Sequence, residues 1–234
     1  MSTLLMRLAA PMQSWGVDKF ERRGTERTPT KSGVIGMVAA ALGRQRNEKI
    51  DDLRALHFGI RVDREGTLLR DFHTAKSQKS AYVTVRYYLS DAIFLVGLEG
   101  EDAFLEQIEH ALHHPAFPLF LGRRSCPPEG KLSLGIRTEK KLLQSLQEEP
   151  WLSDWSKIKD DVEVLLHIIT DVGNGTVNGY LQHDLPISFD QTHREYGFRR
   201  VSGSNSIILS NPLSQYTVSK DSTDHDPMLE LGEE

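Results

Sequence analysis

Cysteine is almost absent from this 234-residue chain: Cys126 stands alone. An internal disulfide is thereby excluded, and a reducing compartment, the cytoplasm, is the expected setting. Long apolar runs are missing too. None approaches the eighteen or so residues that cross a bilayer. The apolar start, Met1–Met12, carries Arg7 in its middle, which the core of a signal peptide avoids, so it reads as a first strand. No membrane partner is expected. His113-His114, His167 and His183-Asp184 lack the spacing to cysteine or carboxylate partners that a metal site uses, so neither a metal nor another cofactor is expected.

An excess of basic charge is also lacking. The formal net charge is −5, which at first disfavours nucleic acid. The distribution changes that reading. Residues 220–234 hold six acidic residues and Lys220; removing them from 33 acidic and 28 basic leaves 27 of each. The body is neutral with an acidic tail. Within it, residues 18–46 carry seven Lys/Arg against three Asp/Glu, a local patch able to meet phosphates.

Taken in order, Thr3–Ala9 is a strand ended by Pro11, and a polar loop with Gly16, Gly24 and Pro29 follows. Thr30 is a good N-cap for a helix over Lys31–Gly43, with Val34, Ile35, Val38, Ala41 and Leu42 on one side. Asp51–Leu56 is a short helix or turn. Phe58–Val62 and Leu68–Thr74, separated by a turn with Gly66, read as a hairpin. Tyr82–Tyr88 and Ala92–Leu98 are strands, and Glu101–His114 is an amphipathic helix. This order predicts an α+β fold of ferredoxin-like or RRM-like type over residues 1–120, an antiparallel sheet backed by two helices. Leu132–Ile136, a helix in Glu139–Glu148, Val162–Thr170, Asp184–Ser188 and Ser206–Leu209 make a β-rich part over 121–210. Residues 211–234 are acidic and compositionally disordered.

Three stretches carry candidate chemistry. Residues 13–44 form a strand–loop–helix unit. Its loop holds Lys19, Arg22, Arg23, Arg27 and Lys31 with the aromatics Trp15 and Phe20. Thr30-Lys31-Ser32-Gly33 opens the helix, where free N–H groups and the dipole favour an anion. A P-loop requires glycine before the lysine, and Thr30 stands there instead. The plain reading is an N-cap with a solvated lysine. Trp15 and Phe20 offer faces for splayed bases, or Trp15 plugs the core. Gly122-Arg123-Arg124-Ser125-Cys126 is a basic turn whose guanidinium forks suit phosphates, or a purely structural one. Arg194-Glu195-Tyr196 with Arg199-Arg200 is a second basic–aromatic cluster, or a solvated edge. Cys126 has no catalytic signature around it and reads as a small buried residue.

These pieces resemble the CasD family. The resemblance rests on Gln13-Ser14-Trp15-Gly16, Pro29–Gly33, Ala41-Leu42-Gly43 with Arg46, and Asp71–Thr74. Arg86–Ala92, Leu121–Pro127, Asp184–Phe189, Arg194–Tyr196 and Arg199–Val201 continue it in the same order, so it covers roughly residues 3–205. It implies a RAMP-superfamily subunit of Cascade, the type I-E CRISPR surveillance complex, that caps the 5′ handle of the guide RNA (crRNA) in antiviral defence. A β-hairpin thumb, short here and lying at about 74–85, reaches toward the neighbouring backbone subunit. Lys76 and Lys79 are its candidate RNA contacts. The large subunit is a further partner, and target DNA an indirect one. Carried over to this chain, the handle site is Gln13, Ser14, Trp15, Gly16, Arg27, Thr28, Thr30, Lys31, Ser32, Gly122, Arg123, Arg124, Ser125 and Cys126, with Tyr196 and Arg199 as additions. No catalytic residue is expected. The alternative is a metal-independent endoribonuclease that processes CRISPR precursor RNA with His73, Lys76 and Tyr82.

Overall fold

The computed structural model describes residues 1–16, 22–76, 81–153, 162–173, 179–211 and 214. Lys19, Phe20, Lys79 and the acidic tail, apart from Asn211 and Ser214, lie outside them. In chain order the first elements are β1 (Ser2–Ala9), β2 (Met12–Gln13), β3 (Arg22–Arg23), α1 (Lys31–Ala41), α2 (Asp51–Ala55) and β4 (His57–Arg64). Next come β5 (Thr67–Lys76), β6 (Ala81–Ser90), β7 (Ile93–Gly100), α3 (Asp102–His113) and β8 (Ser133–Arg137). The chain closes with α4 (Leu142–Glu148), β9 (Glu163–Asp171), β10 (Tyr180–Ser188) and β11 (Glu195–Ser210).

The fold is mixed α+β with mostly antiparallel strands. β1 lies between β7 and the edge strand β8 in a seven-stranded sheet of order β10-β11-β9-β4-β7-β1-β8, all neighbours antiparallel. Side chains on a strand alternate between faces, and both faces of β1 are covered. Leu4, Met6 and Leu8 pack with Val34, Ile35 and Val38 of α1 and Leu105 and Ile108 of α3. Leu5 points the other way, to Leu95, Ile168 and the α4 residues Leu142 and Leu146. Burial on both sides is why β1 is nearly continuously apolar. α4 sits close to the sheet because Gly97 lies under it; a Cβ there would stand 2.5 Å from Leu142 Cδ1.

The sheet runs across the boundary expected near residue 120. β8 pairs with β1, and β9 adds to the free edge of β4. Pro186 is tolerated because β10 is an edge strand. The strand expected at Ser206–Leu209 is the end of the longer β11.

One pairing differs from expectation. β4 does not form a hairpin with β5, because both its edges are taken, by β7 and β9. The turn at Gly66 (φ +75°) instead hands the chain to a second sheet, in which β5 pairs with β6 from Thr67↔Ser90 to Lys76↔Ala81. At about 3.4 Å per residue these ten-residue strands make an arm roughly 30 Å long. The paired hairpin therefore extends well beyond residues 74–85. β2 pairs with β6 at its root, at Leu89 and Ser90, and β3 pairs with its middle, at Val85 and Arg86. Exposure rises along β6 from buried Tyr88 and Leu89 to exposed Ala81–Val83 at the tip.

Candidate nucleic-acid interface

Three loop segments meet at the root of the β5–β6 arm. Ser14 N–H donates to Leu121 O at 3.1 Å, and Glu26 N–H donates to Trp15 O at 2.7 Å. Trp15 N–H donates to Thr25 Oγ1 at 2.9 Å, and Arg123 Nη2 reaches Gly24 O at 3.2 Å. The stretches 13–16, 24–30 and 121–126, far apart in sequence, therefore share one surface. Gly122 makes the junction possible. Its φ is +84°, and a Cβ would fall 1.6 Å from Ser14 O.

Within that junction several expected contact residues turn out to be framework. Trp15 is 0% exposed and packs on Gly33, so its ring cannot stack on a base. Gln13 is equally buried; its amide donates to Leu8 O and Ala92 O, and its carbonyl accepts from the Trp15 indole. Ser14 is buried and donates to Tyr87 O. Cys126 is buried, and burial pushes its thiol pKa up, away from the reactive thiolate. Exposed at the same junction are Gly16, Arg27, Arg124 and Ser125, with Thr28 and Arg123 half-buried.

The helix start also differs from expectation. Thr30 is the N-cap, accepting from Gly33 N–H at 3.2 Å, with the half-buried Ser32 hydroxyl beside it. The anion there, however, is internal: Asp184 Oδ2 accepts from Lys31 N–H at 2.7 Å. Lys31 is 4% exposed, and its ammonium donates to Leu56 O at 2.7 Å and Asp171 Oδ2 at 3.0 Å. Arg199, 7% exposed, bonds Asp184 at 2.6 and 3.0 Å and Asp171 at 2.5 Å. Burial alone would disfavour its charge, but Asp184 and Asp171 outweigh that and raise its pKa. Lys31 and Arg199 thus belong to a buried ion network tying β9, β10 and β11 to α1. Tyr196 lies half-buried on β11, its carbonyl 3.0 Å from His183 Nε2.

His73, Lys76 and Tyr82 all lie on the arm. By strand alternation and register, His73 and Tyr82 share a face, while Lys76 occupies the other. His73 Nε2 is 2.5 Å from Asp71 Oδ2. The three therefore do not converge.

Two residues at the junction were not among the site residues expected from sequence. Tyr88 is buried beneath the Arg123 guanidinium, 4.7 Å from its ring centre. Arg86, two positions away on the same face of β6, bonds the Tyr88 phenol along with Arg123 and Ser125. The alternation in Arg86-Tyr87-Tyr88 was visible, but not which face the loop 121–126 would cover.

A family model described as CRISPR-associated protein (Cas_Cas5) matches residues 3–202, a span that includes all three loop segments and the arm. The chain belongs to the Cas5 family. Among curated members it is 38% identical over 159 residues to the CRISPR system Cascade subunit CasD of Escherichia coli (strain K12), covering 57% of this chain and 70% of that one. A solved structure described as a Cas protein has 39% identity and a TM-score of 0.69, over 91% of this chain and 97% of its own. A chain of a CRISPR RNA-guided surveillance complex has 34% identity and a TM-score of 0.74, over 89% and 90%. No helix among the described residues is long and apolar enough to cross a membrane.

Proposed function

We propose that this Cas5-family chain is the crRNA-binding subunit of a type I-E Cascade complex and caps the 5′ handle of the guide RNA. The observation that carries the reading is the meeting of three polar segments at the root of a long arm, with Arg27, Arg124, Ser125 and Gly16 exposed there. Cationic forks beside open backbone suit a phosphate chain that must bend. The likeness to a Cascade subunit and to a surveillance-complex chain supports the same partner.

In this reading β1, α1, β4, β7, α3 and β8 form the ferredoxin-like, RRM-like unit of a RAMP protein. The order β4-β7-β1-β8, with a helix in each crossover, supports it. It takes in residues 1–120 and β8; β9–β11 are the β-rich addition reaching residue 210, and 211–234 the acidic tail. The β5–β6 arm is the thumb. It carries exposed Phe72, Val83 and Tyr82 toward the adjacent backbone subunit. The large subunit docks elsewhere on the same complex, target DNA is met only through the guide, and the setting is the cytoplasm.

The role is binding without catalysis, and it calls for no cofactor. The separation of Lys76 from His73 and Tyr82 supports that over the endoribonuclease alternative. Incubating the purified chain with precursor repeat RNA tests it. The expected result is bound, uncut RNA. Site-specific cleavage lost in His73→Ala would overturn the binding-only reading.

A further inference from the structure

The last turn of α3 carries His110 and His113, and His114 is its C-cap. At about 3.6 residues per turn, residues four apart share a face, so His114 stands over His110 rather than beside its sequence neighbour His113. The two imidazoles are stacked, with ring centres 4.9 Å apart and planes inclined at 30°. Both residues are exposed, while Leu105, Ile108 and Leu112 carry the buried face of the helix. The expectation of no metal site weighed His113 with His114, whose side chains leave the helix in different directions. The helix pairs His110 with His114 instead.

The backbone under this pair is fixed on both sides. His114 N–H donates to His110 O at 3.0 Å, and Ala116 N–H donates to Ala41 O, at the end of α1, also at 3.0 Å. Two rings held in place beforehand reduce the ordering cost of binding a ligand between them. The surroundings suit a cation. The negative end of the helix dipole lies here. Exposed Glu106 stands one turn back on the same stripe, and half-buried Glu109 accepts from the Ser133 hydroxyl at 3.3 Å. Two histidines four apart on one helix face form the spacing by which helices hold a metal, and imidazole is a ligand that zinc, nickel and copper share.

We propose that His110 and His114 chelate one divalent transition-metal ion, of the zinc, nickel and copper class, at the C-terminal end of α3. Among the described residues no third histidine, cysteine or carboxylate completes a cluster with them, so water fills the remaining coordination positions. The ion binds a surface that none of the three loop segments or the arm contributes to, and the assignment stands apart from the crRNA-binding reading.

The test uses the full-length chain without an affinity tag, stripped with a chelator and titrated with zinc chloride by calorimetry in a non-coordinating buffer. The wild-type chain is expected to take up one equivalent. H110A and H114A are each expected to lose that uptake, whereas H113A keeps it. All three side chains are exposed, and circular dichroism checks each fold. With one equivalent of cupric ion, electron paramagnetic resonance is expected to show imidazole-nitrogen couplings that vanish in H110A/H114A. Absence of saturable uptake by the wild-type chain would overturn the assignment. So would equal uptake by wild type, H110A and H114A, which would mark an adventitious ion only. Uptake lost in H113A as fully as in H110A would overturn the pairing of His110 with His114.

Discussion

Asp184 Oδ2 lies 2.7 Å from the backbone nitrogen of Lys31, so a carboxylate from β10 caps the first turn of α1. The same carboxylate grips Arg199, and Asp171 joins Arg199 to the Lys31 ammonium. The anion-binding capacity of that helix start is thus met from within the chain. Asp184→Ala leaves a helix N–H without its acceptor and Arg199 with Asp171 alone, and breaking a buried pair on one side costs about 3–5 kcal/mol. For a chain of this size that lowers Tm by roughly 10 °C. Thermal unfolding followed by circular dichroism measures it, and an unchanged Tm would contradict the network's role.

The network separates two kinds of basic residue in the original patch. Lys31→Ala should lower stability while leaving the salt dependence of RNA binding by the folded chain unchanged. Arg27→Ala with Arg124→Ala should do the reverse, leaving Tm within about 1 °C and lowering the salt slope by roughly 1.4 for two single-strand phosphates. Filter binding at several salt concentrations distinguishes them.

Gly122 is where the 121–126 turn is closed onto Ser14. Its positive φ and the 1.6 Å clash awaiting any Cβ mean that Gly122→Ala must move the turn. RNA affinity should fall by tenfold or more, about 1.4 kcal/mol, while the remote core at Leu5, Leu95 and Ile168 stays packed. Methyl NMR spectra of those residues together with a binding titration would show it. Full affinity in a folded G122A would mean that the turn is not part of the site.

Cys126 should be silent toward Ellman's reagent at neutral pH in the folded chain and react once in urea. Burial raises its folded pKa, so the folded chain holds that proton more tightly than the unfolded one. Its contribution to stability is complete below the ordinary thiol range and is lost as pH rises through the folded value. Rapid native labelling would contradict the buried position.

Periodicity made β1, α1, α3, β7 and β9 legible, because burial on defined faces writes itself into residue spacing. The N-cap at Thr30 was legible for the same local reason. The partner of β5 was not, since the Gly66 turn suits a β4–β5 hairpin as well as the crossing to a second sheet. The edges of β4 decide that, and they are filled by β7 and by β9, the latter about a hundred residues on. The site was half legible. Basic residues in polar loops stood out, but separating exposed Arg27 and Arg124 from buried Lys31 and Arg199 depends on Asp171 and Asp184. Trp15 shows the same limit: its packing against Gly33 is invisible until the loop is folded over α1.

The central claim is that the chain covers the 5′ end of the guide RNA, and hydroxyl-radical footprinting of the assembled complex tests it most directly. With the chain present, the 5′ handle nucleotides should be protected; in complexes assembled without it they should be cleaved, with protection of the remaining guide little changed. A footprint at the 5′ end that is the same with and without the chain, or one that appears only at the 3′ end, would contradict the account.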